Sequence, residues 1–332
     1  MKDTTEKKTD FDLLAHRVLS GGTITRGEAA AVLRSDDDEL LAVLQAAFRV
    51  RVRHFGRRVR LHVIENAKSG MCSENCRYCG QSADASGVPV YPLKSVDEIL
   101  ADAHEASQAG AYRYCIVTSG RAPSTAELAR LCEALRRIRA ELPIHTCASL
   151  GLLTAAQAHE LKNAGLDRYN HNLETSARFF PTTCTAHTYA DRLATTRVVK
   201  EAGLELCSGG LFGMGETVDD RVALAFALKE AGSDAVPVNF LNPRPTTVLA
   251  EQPRLKPAEC LRILAMLRLV LPDREVRVAG GREVCLGAMQ PLALFAADSI
   301  FTRGYLTTPG QGIAQDRTMI TEAGFILAGI DH

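Results

Sequence analysis

The chain has 332 residues, of which 46% are hydrophobic and 23% charged, a composition typical of globular proteins. Its 39 basic and 39 acidic side chains cancel, which gives no support to a nucleic-acid partner, and no run approaches the ~18 apolar residues of a membrane span. Because residues 1–10 are polar and lack an apolar signal core, we expect a cytoplasmic protein whose ten cysteines serve metal binding or catalysis rather than disulfides.

The first 58 residues predict a helical extension that differs in character from the rest of the chain. Thr25 and Glu28 form a capping box, in which side chains satisfy the first backbone N–H groups of a helix, here a short one ending near Leu33. Asp36–Asp38 then cap a second helix that runs through Arg53. We expect the extension to pack on the following domain, either as a dimer contact or as a lid.

The loop at residues 70–80, GMCSENCRYCG, carries the most informative motif of the chain. Cys72, Cys76 and Cys79 follow a C-x₃-C-x₂-C spacing. Three thiolates can bind three irons of a 4Fe–4S cluster and leave the fourth iron open to another molecule, whereas electron-transfer clusters are ordinarily closed by four cysteines. A structural zinc site is the alternative, but zinc takes four ligands and the sequence has no second C-x₂-C pair.

From about residue 60 onward, apolar runs alternate with amphipathic segments at intervals of roughly 30 residues, as a parallel α/β sheet requires. Predicted helices begin at five capping boxes: Ser95…Glu98, Ser124…Glu127, Thr154…Gln157, Thr188…Asp191 and Thr217…Asp220. Another helix begins at Pro257, and a last one runs from Leu286 toward Ala297. Left-handed glycine caps are expected at the ends of helices, at Gly110, Gly165, Gly203 and Gly232.

Eight apolar runs are predicted to be the strands. They are Arg60–Ile64, Arg113–Thr118, Ile144–Ala148, Arg168–Asn172, Glu205–Gly209, Ala235–Phe240, Glu275–Ala279 and Ser299–Phe301. Eight strands predict a (β/α)₈ TIM-type barrel over residues 59–304, and a doubly wound open sheet is the runner-up. Residues 305–332, which begin with a Gly/Pro-rich stretch, form a separate C-terminal segment in this interpretation.

A second group of chemically important residues lies on the predicted strands. Cys115, Cys147 and Cys207 each occupy a different strand, and in a closed barrel such residues can point to one interior position. Packing as small buried hydrophobes is the alternative for these cysteines. Arg277 lies in the middle of the seventh strand, where a buried charge needs a partner such as a cluster of thiolates.

From about residue 55 to about residue 310 the chain resembles the biotin synthase family of the radical S-adenosylmethionine superfamily, and six blocks of sequence carry the resemblance. The blocks are CSENCRYCGQS at 72–82, YNHNLET at 169–175, CSGGLFGMGET at 207–217, VPVNFL at 236–241, GGRE at 280–283 and YLTT at 305–308. The first block by itself indicates only the superfamily, whereas the second and third are specific to this family.

The resemblance implies two iron–sulfur clusters in one TIM-type barrel. Cys72, Cys76 and Cys79 would bind a 4Fe–4S cluster that chelates S-adenosylmethionine. Cys115, Cys147, Cys207 and Arg277 match the family's ligands to a 2Fe–2S cluster, or to a modified auxiliary cluster. The implied reaction inserts sulfur into dethiobiotin by radical hydrogen abstraction, the last step of biotin synthesis. The expected partners are a flavodoxin- or ferredoxin-type electron donor and a second copy of the chain in a homodimer.

The resemblance also implies roles for polar residues near the strand ends. Asn172 and Glu174 match contacts to the ribose of S-adenosylmethionine, with Asn172 also near the substrate, and Asn239 matches an asparagine that holds the ureido ring of dethiobiotin. The family often has Asp where Glu174 stands. Three further matches to cofactor contacts each have a purely structural alternative. In these alternatives Arg192 is an exposed helix arginine, Tyr78 is a packing residue of the loop, and Gly209-Gly210 is a tight turn.

Several cysteines and histidines remain outside these roles. Cys184 lies at a position where many relatives lack cysteine, and we interpret it either as a spectator or as a ligand of a modified auxiliary cluster. Cys285 could bias that cluster as well, whereas Cys132 and Cys260 are interpreted as packing residues. His171 is expected to face away from the site.

Three other functions compete with this interpretation. Another radical enzyme with a similar barrel would keep the Cys72 loop without needing Cys115, Cys147, Cys207 and Arg277 together. A non-catalytic iron–sulfur carrier would have no use for the asparagines at the strand ends. A zinc-stabilised structural protein is the third possibility.

Overall fold

The computed structural model describes residues 9–329, so the polar stretch predicted to lack a signal core lies mostly outside the described residues. The molecule is built around parallel strands. They are β1 (Arg58–Lys68), β2 (Arg113–Thr118), β3 (His145–Ser149), β4 (Arg168–Asn170), β5 (Glu205–Cys207), β6 (Gly210–Phe212), β7 (Ala235–Phe240), β8 (Glu275–Val278) and β9 (Ser299–Thr302). The predicted strands agree with these bounds to within a few residues.

The sheet closes on itself. Neighbouring strands pair in the order β1-β2-β3-β4-β5-β7-β8-β9, and β9 pairs in parallel with β1, with Ser299 opposite Arg60. The short β6 follows β5 after two residues and pairs with β7, so the two pieces occupy one position in the barrel. The (β/α)₈ prediction is therefore confirmed, and the open doubly wound sheet is excluded because an open sheet has two unpaired edges.

Helices alternate with the barrel strands. The twelve α-helices between residues 9 and 329 are α1 (Phe11–Leu19), α2 (Arg26–Arg34), α3 (Leu40–Phe55), α4 (Val96–Gln108), α5 (Thr125–Glu141), α6 (Ala155–Asn163), α7 (Tyr189–Glu201), α8 (Val218–Glu230), α9 (Pro257–Val270), α10 (Arg282–Leu286), α11 (Gln290–Ala293) and α12 (Ile313–Glu322). All five predicted capping boxes are present at the starts of α4 to α8, and α9 begins at Pro257 as expected. All four predicted cap glycines have positive φ.

Two predictions about helices were wrong or incomplete. The predicted helix from Leu286 toward Ala297 is instead a 3-10 turn, Gly287–Met289, followed by the short α11, whereas α10 precedes this range and ends at Leu286, where Gly287 adopts a positive φ of 51°. The sequence interpretation also missed α1, whose N-cap Asp10 accepts a hydrogen bond from the backbone N–H of Leu13 at 2.9 Å. Asp10 sits at the end of a polar run, where its capping role is hard to recognise.

The C-terminal segment returns to the barrel. A small hairpin of β10 (Gly304–Tyr305) and β11 (Thr308–Pro309) precedes α12, and β12 (Ile326–Leu327) pairs in parallel with the first residues of β1. The division of the chain at residues 58 and 304 stays a prediction.

The N-terminal extension belongs to the main hydrophobic core. Helix α9 is buried on all sides, from Cys260 to Val270, and α1, α2 and α3 pack against it. Buried residues of α3 such as Leu44 share one apolar cluster with buried residues of α9 and β8. A role as a lid is not supported, because no described residue before Ile64 lines the large cavity of the barrel. No helix between residues 9 and 329 is long and apolar enough to cross a membrane.

Candidate active site

A cavity of about 360 Å³ lies at the carboxyl end of the barrel strands. Its walls include segments that directly follow β2, β3, β4, β7 and β8, together with the cysteine loop and residues 305–309. The carboxyl ends of parallel barrel strands are where (β/α)₈ enzymes place their active sites, because the loops there come from every unit of the fold. The cavity is therefore the candidate active site.

The three cysteines of the loop all line this cavity and are partly buried. A turn joins two of them, since the N–H of Cys79 donates to the carbonyl of Cys76 at 3.0 Å. The N–H of Gln81 donates to the Cys79 sulfur at 3.4 Å. Burial raises the pKa of Cys79 to about 11, and the charge of the nearby Cys72 adds to the effect. Three thiols at the rim of one cavity are a donor set that fits an iron cluster.

The strand cysteines meet inside the barrel below the loop. Cys115 and Cys147 are opposite each other in the pairing of β2 with β3, and Cys207 lies on β5; all three are at most 4% exposed. The amide nitrogen of Asn170 lies 3.3 Å from the Cys207 sulfur, and a guanidinium nitrogen of Arg277 lies 3.6 Å from it. The structure thus brings together four residues that the sequence separates by up to 162 positions.

Arg277 is 1% exposed and remains charged. Burial by itself would lower its pKa, but the charges of Glu275, Cys207 and Cys115 outweigh burial and raise it. Its side chain forms an ion pair with Glu275 and lies over the ring of Phe301, 5.0 Å from the centroid. The Nε atom is buried and has no hydrogen-bond partner among residues 9–329. A buried, unpaired N–H on a guanidinium that also contacts Cys207 fits an additional group at this position.

The predicted contacts to S-adenosylmethionine lie on one wall of the cavity. Tyr78, Asn172, Glu174 and Arg192 all line it, and Arg192 donates to the carbonyl of Asn172 at 2.7 Å. Arg192 is 7% exposed, so it is not the exposed helix arginine that the sequence left open. Burial raises the pKa of Glu174, while the nearby Arg192 charge, 3.8 Å away, opposes that shift. Glu174 also has a left-handed φ of 68°, a conformation that costs energy outside glycine.

Gly209 and Gly210 allow close approach of the backbone behind this wall. A Cβ atom on Gly209 would lie 1.9 Å from the carbonyl oxygen of Pro237, and one on Gly210 would lie 2.6 Å from that of Glu174. Neither glycine is among the described residues that line the cavity. This close packing fits the interpretation of Gly209-Gly210 as a tight turn. A direct contact with the cofactor stays a prediction.

Asn239 extends from β7 into the cavity with its amide held at both ends. Its NH₂ donates to the carbonyl of Gly210 at 3.1 Å, and its oxygen accepts from the N–H of Gly280 at 3.0 Å. A primary amide has two N–H groups and two oxygen lone pairs, so one of each remains for a ligand. The remaining N–H and oxygen lone pair of Asn239 match the C=O and N–H groups of a cyclic urea.

Some residues of the site escaped the sequence interpretation. His171 was expected to face away, yet it lines the cavity.

Glu74 and His187, which also line the cavity, interact with each other. The Cys184 sulfur lies 3.8 Å from that of Cys76. Cys184 therefore neighbours the cysteine loop. The Cys285 thiol contacts the carbonyl of Leu241 at 3.4 Å. In the sequence, only the position of Glu74 between Cys72 and Cys76 pointed to these contacts.

Comparisons with known proteins agree with this architecture. Residues 67–228 match the radical SAM superfamily, and residues 237–326 match the biotin and thiamin synthesis associated domain. A biotin synthase of Salinibacter ruber is 52% identical over 96% of this chain and 89% of its own length. A biotin synthase of Anoxybacillus flavithermus is 46% identical over 95% of this chain and 96% of its own length.

Solved structures support the fold. A methylornithine synthase superposes with a TM-score of 0.85 at 20% identity, covering 96% of this chain and 98% of its own. A maturase of the FeFe-hydrogenase from Carboxydothermus hydrogenoformans superposes with a TM-score of 0.82 at 19% identity, covering 96% of this chain and 79% of its own. At these identities the likeness concerns the fold alone.

The closed barrel, the cavity at its carboxyl end and the three-cysteine loop define a radical S-adenosylmethionine enzyme. Enzymes of this superfamily hold a 4Fe–4S cluster and S-adenosylmethionine. Identity of 44–52% over nearly the whole length narrows the assignment, and the chain belongs to the biotin synthase family.

Proposed function

We propose that this enzyme converts dethiobiotin to biotin, with the loop cysteines holding one cluster and the strand cysteines holding a second, auxiliary cluster. Two sets of three cysteine thiols lie at different depths of one barrel, and this observation carries the proposal. The set on the loop is partly buried, and the set on the strands is fully buried. The three loop cysteines line the same cavity as Cys115 and Cys147, so a substrate bound there would lie between the two groups.

Cys72, Cys76 and Cys79 are the proposed ligands of the 4Fe–4S cluster. With S-adenosylmethionine bound, such a cluster would supply radical abstraction of hydrogen from unactivated carbon. The loop's own task is to hold three thiolates at the rim of the cavity and to leave one side of the metal site without a protein ligand. The short turn from Cys76 to Cys79 and the N–H donated by Gln81 to the Cys79 sulfur support this arrangement.

Cys115, Cys147, Cys207 and Arg277 are the proposed ligands of the auxiliary cluster, of 2Fe–2S type, which would supply the sulfur. The donor set fits, since three buried thiols face a guanidinium whose Nε is unpaired. An arginine held charged by Glu275 would offset the negative charge of three thiolates in this buried region. Asn170 donates to the Cys207 sulfur and would keep that ligand oriented.

The polar residues of the cavity wall are proposed to orient the two organic molecules. Tyr78, Glu174 and Arg192 would contact S-adenosylmethionine, and Asn172, whose oxygen accepts from the N–H of Gly209 at 3.2 Å, would lie between cofactor and substrate. Asn239 would bind the ureido ring through its remaining donor and acceptor. The barrel walls around a bound substrate would shield a reactive carbon centre from water, which limits side reactions.

Family membership supports three further proposals. A flavodoxin- or ferredoxin-type protein would deliver the electron, the chain would act as a homodimer, and it would work in the cytoplasm. The molecular mass measured in solution tests the proposed homodimer.

An anaerobic assay tests the proposed function. Reduced, reconstituted protein is incubated with S-adenosylmethionine and dethiobiotin, and the products are quantified by mass spectrometry. We expect biotin together with 5′-deoxyadenosine and methionine. Cys72→Ala should abolish all three products, whereas Cys132→Ala, which removes a buried thiol of α5, should retain them. Formation of 5′-deoxyadenosine without biotin would contradict the proposal and would favour another radical enzyme of the same fold.

A further inference from the structure

Residues 182–187 form a strap that lies across the cysteine loop. The N–H of Arg77 donates to the carbonyl of Thr183 at 3.0 Å, and Arg121 donates to that of Ala186 at 2.7 Å. The side-chain oxygen of Asn75 accepts from the N–H groups of Thr185 and Ala186 at 3.0 and 2.9 Å. These bonds fix the strap against the loop, so the side chains between the two segments have defined positions.

The strap and the loop enclose a group of metal-ligating side chains. Glu74, Cys184 and His187 are each at most 8% exposed, and one ligand atom of each lies within 4.8 Å of the other two. The Cys184 sulfur lies 3.4 Å from Nδ1 of His187, and the same nitrogen contacts the Glu74 carboxylate. The sulfur of Cys76 lies 3.8 Å from that of Cys184, which makes it a fourth donor beside the group.

The chemistry of this donor set is selective. Thiolate, imidazole and carboxylate together are typical of tetrahedral sites for borderline divalent metals such as Zn²⁺ and Fe²⁺. Calcium and magnesium prefer oxygen ligands alone. Nε2 of His187 has no partner among residues 9–329, so the ring can keep its proton there and offer the Nδ1 lone pair to a metal. Arg121, 3.3 Å from Glu74, holds the other carboxylate oxygen in place.

We propose that Glu74, Cys184 and His187 form a binding site for one divalent transition metal ion, with Cys76 as the fourth ligand whenever the loop carries no cluster. The second half of this inference rests on the proposed role of Cys76 as a cluster ligand. Binding releases the thiol protons to solvent, leaves the ring proton of His187 on Nε2, and involves no change of oxidation state. Because one sulfur cannot serve both sites fully, the ion and the 4Fe–4S cluster compete for Cys76.

Cobalt titration tests the site directly, because thiolate-bound Co²⁺ has a strong near-ultraviolet absorption. The experiment uses full-length, cluster-free protein under anaerobic conditions, in a Cys72→Ser/Cys79→Ser background that removes the other loop thiols. We expect this protein to bind one more Co²⁺ per chain than the same protein carrying Cys184→Ala. His187→Ala in that background should weaken binding at the site by at least about tenfold. Cys132→Ala is the matched control and should leave the titration unchanged.

Equal Co²⁺ binding with and without Cys184 would overturn the proposal, provided that circular dichroism shows both variants folded. Should a variant fail to fold, Zn²⁺ competition on the wild-type chain decides the question. One equivalent of Zn²⁺ should slow the reconstitution of the iron–sulfur chromophore, and X-ray absorption should show sulfur and nitrogen ligands around the zinc. Zinc with oxygen ligands only would contradict the site. None of these readouts depends on biotin formation, so failure of the proposed function would be recognised separately.

Discussion

Arg277 is one member of a buried charge network beneath the proposed auxiliary site. Glu275 contacts both Arg277 and Arg168, the latter at 2.7 Å, and also accepts a hydrogen bond from Ser299 at 2.8 Å. Burial alone would raise the pKa of Glu275, but the charges of Arg168 and Arg277 outweigh burial and hold it well below its usual range. The carboxylate is thus ionised and positions the guanidinium under the strand cysteines.

Replacing Glu275 by Gln should destabilise the protein and loosen Arg277. Removing one member of a buried ion pair while the other stays charged and buried costs about 3 kcal/mol of unfolding free energy. We expect a lower urea midpoint and less auxiliary iron after anaerobic reconstitution. Glu141→Gln is the control, since its pairing with Arg137 is at the surface and contributes little to stability. An unchanged midpoint and iron content in Glu275→Gln would contradict this account of the network.

Asn239→Ala should weaken substrate binding more than cofactor cleavage. The variant removes the amide proposed to hold the ureido ring, and the loss of such hydrogen bonds costs about 1–3 kcal/mol. We expect the KM for dethiobiotin to rise by at least about tenfold. Cleavage of S-adenosylmethionine should continue without matching biotin formation. Asn163→Ala, an exposed residue of α6, is the control. A normal KM in Asn239→Ala would remove Asn239 from the substrate site.

At the scale of elements, the helix starts were predictable because their chemistry is local. A capping box needs only four consecutive residues, so Ser95 with Glu98 identifies the start of α4 without any knowledge of the fold. The neighbours of Cys184 were not predictable in this way. Two of them are distant in sequence, Cys76 by 108 positions and Asn75 by 109, and the closed barrel brings the segment before α7 onto the loop.

Asp220 connects one of these caps to the loop after β4. Its carboxylate caps α8 with Thr217 and also accepts from Ser176 at 2.6 Å and from Arg178. Burial would raise its pKa, but these hydrogen bonds lower it to about 2, from 3.8 in an unstructured chain. By linkage, the carboxylate contributes stability that is full above pH 3.8 and is lost as the pH falls toward 2.

Asp220→Asn should therefore lower the unfolding free energy by about 2 kcal/mol at neutral pH. The difference from wild type should shrink as the pH falls below 3.8. Urea unfolding at several pH values measures both quantities. The neighbouring Asp219 is exposed and pairs with Arg34 at the surface, so Asp219→Asn is the matched control and should change the free energy little. A difference that stays constant down to pH 2 would contradict the linkage.

At the scale of the whole molecule, the extension and the barrel share one core. The sequence predicted helices before residue 58 but not the surface they cover, because amphipathic patterning identifies an apolar face without identifying its partner. The same limit applied to the strand cysteines. Their convergence required a closed sheet, which the eight predicted strands indicated, and the family resemblance then matched these cysteines to cluster ligands. The eight-strand pattern itself was recoverable because each βα unit repeats the same local signals.

Leu44→Ala tests whether the extension stabilises the barrel. Leu44 is 3% exposed on α3, in the same cluster as α9, whereas Leu41 on the same helix is 72% exposed. Both substitutions remove the same atoms. We expect Leu44→Ala to cost about 2–5 kcal/mol and to shift a single cooperative transition, while Leu41→Ala changes the free energy by less than about 0.5 kcal/mol. Separate melting of extension and barrel would show that they are independent units.

The most direct test of two cluster sites in one barrel is a count of iron and acid-labile sulfide, with Mössbauer spectra, on anaerobically reconstituted protein. For wild type we predict about six irons per chain in two spectroscopic environments, as one 4Fe–4S and one 2Fe–2S cluster require. Cys147→Ala should lose the smaller component and keep the larger, and Cys76→Ala should do the reverse. A single environment in wild type, or iron content unaffected by Cys147→Ala, would contradict the account.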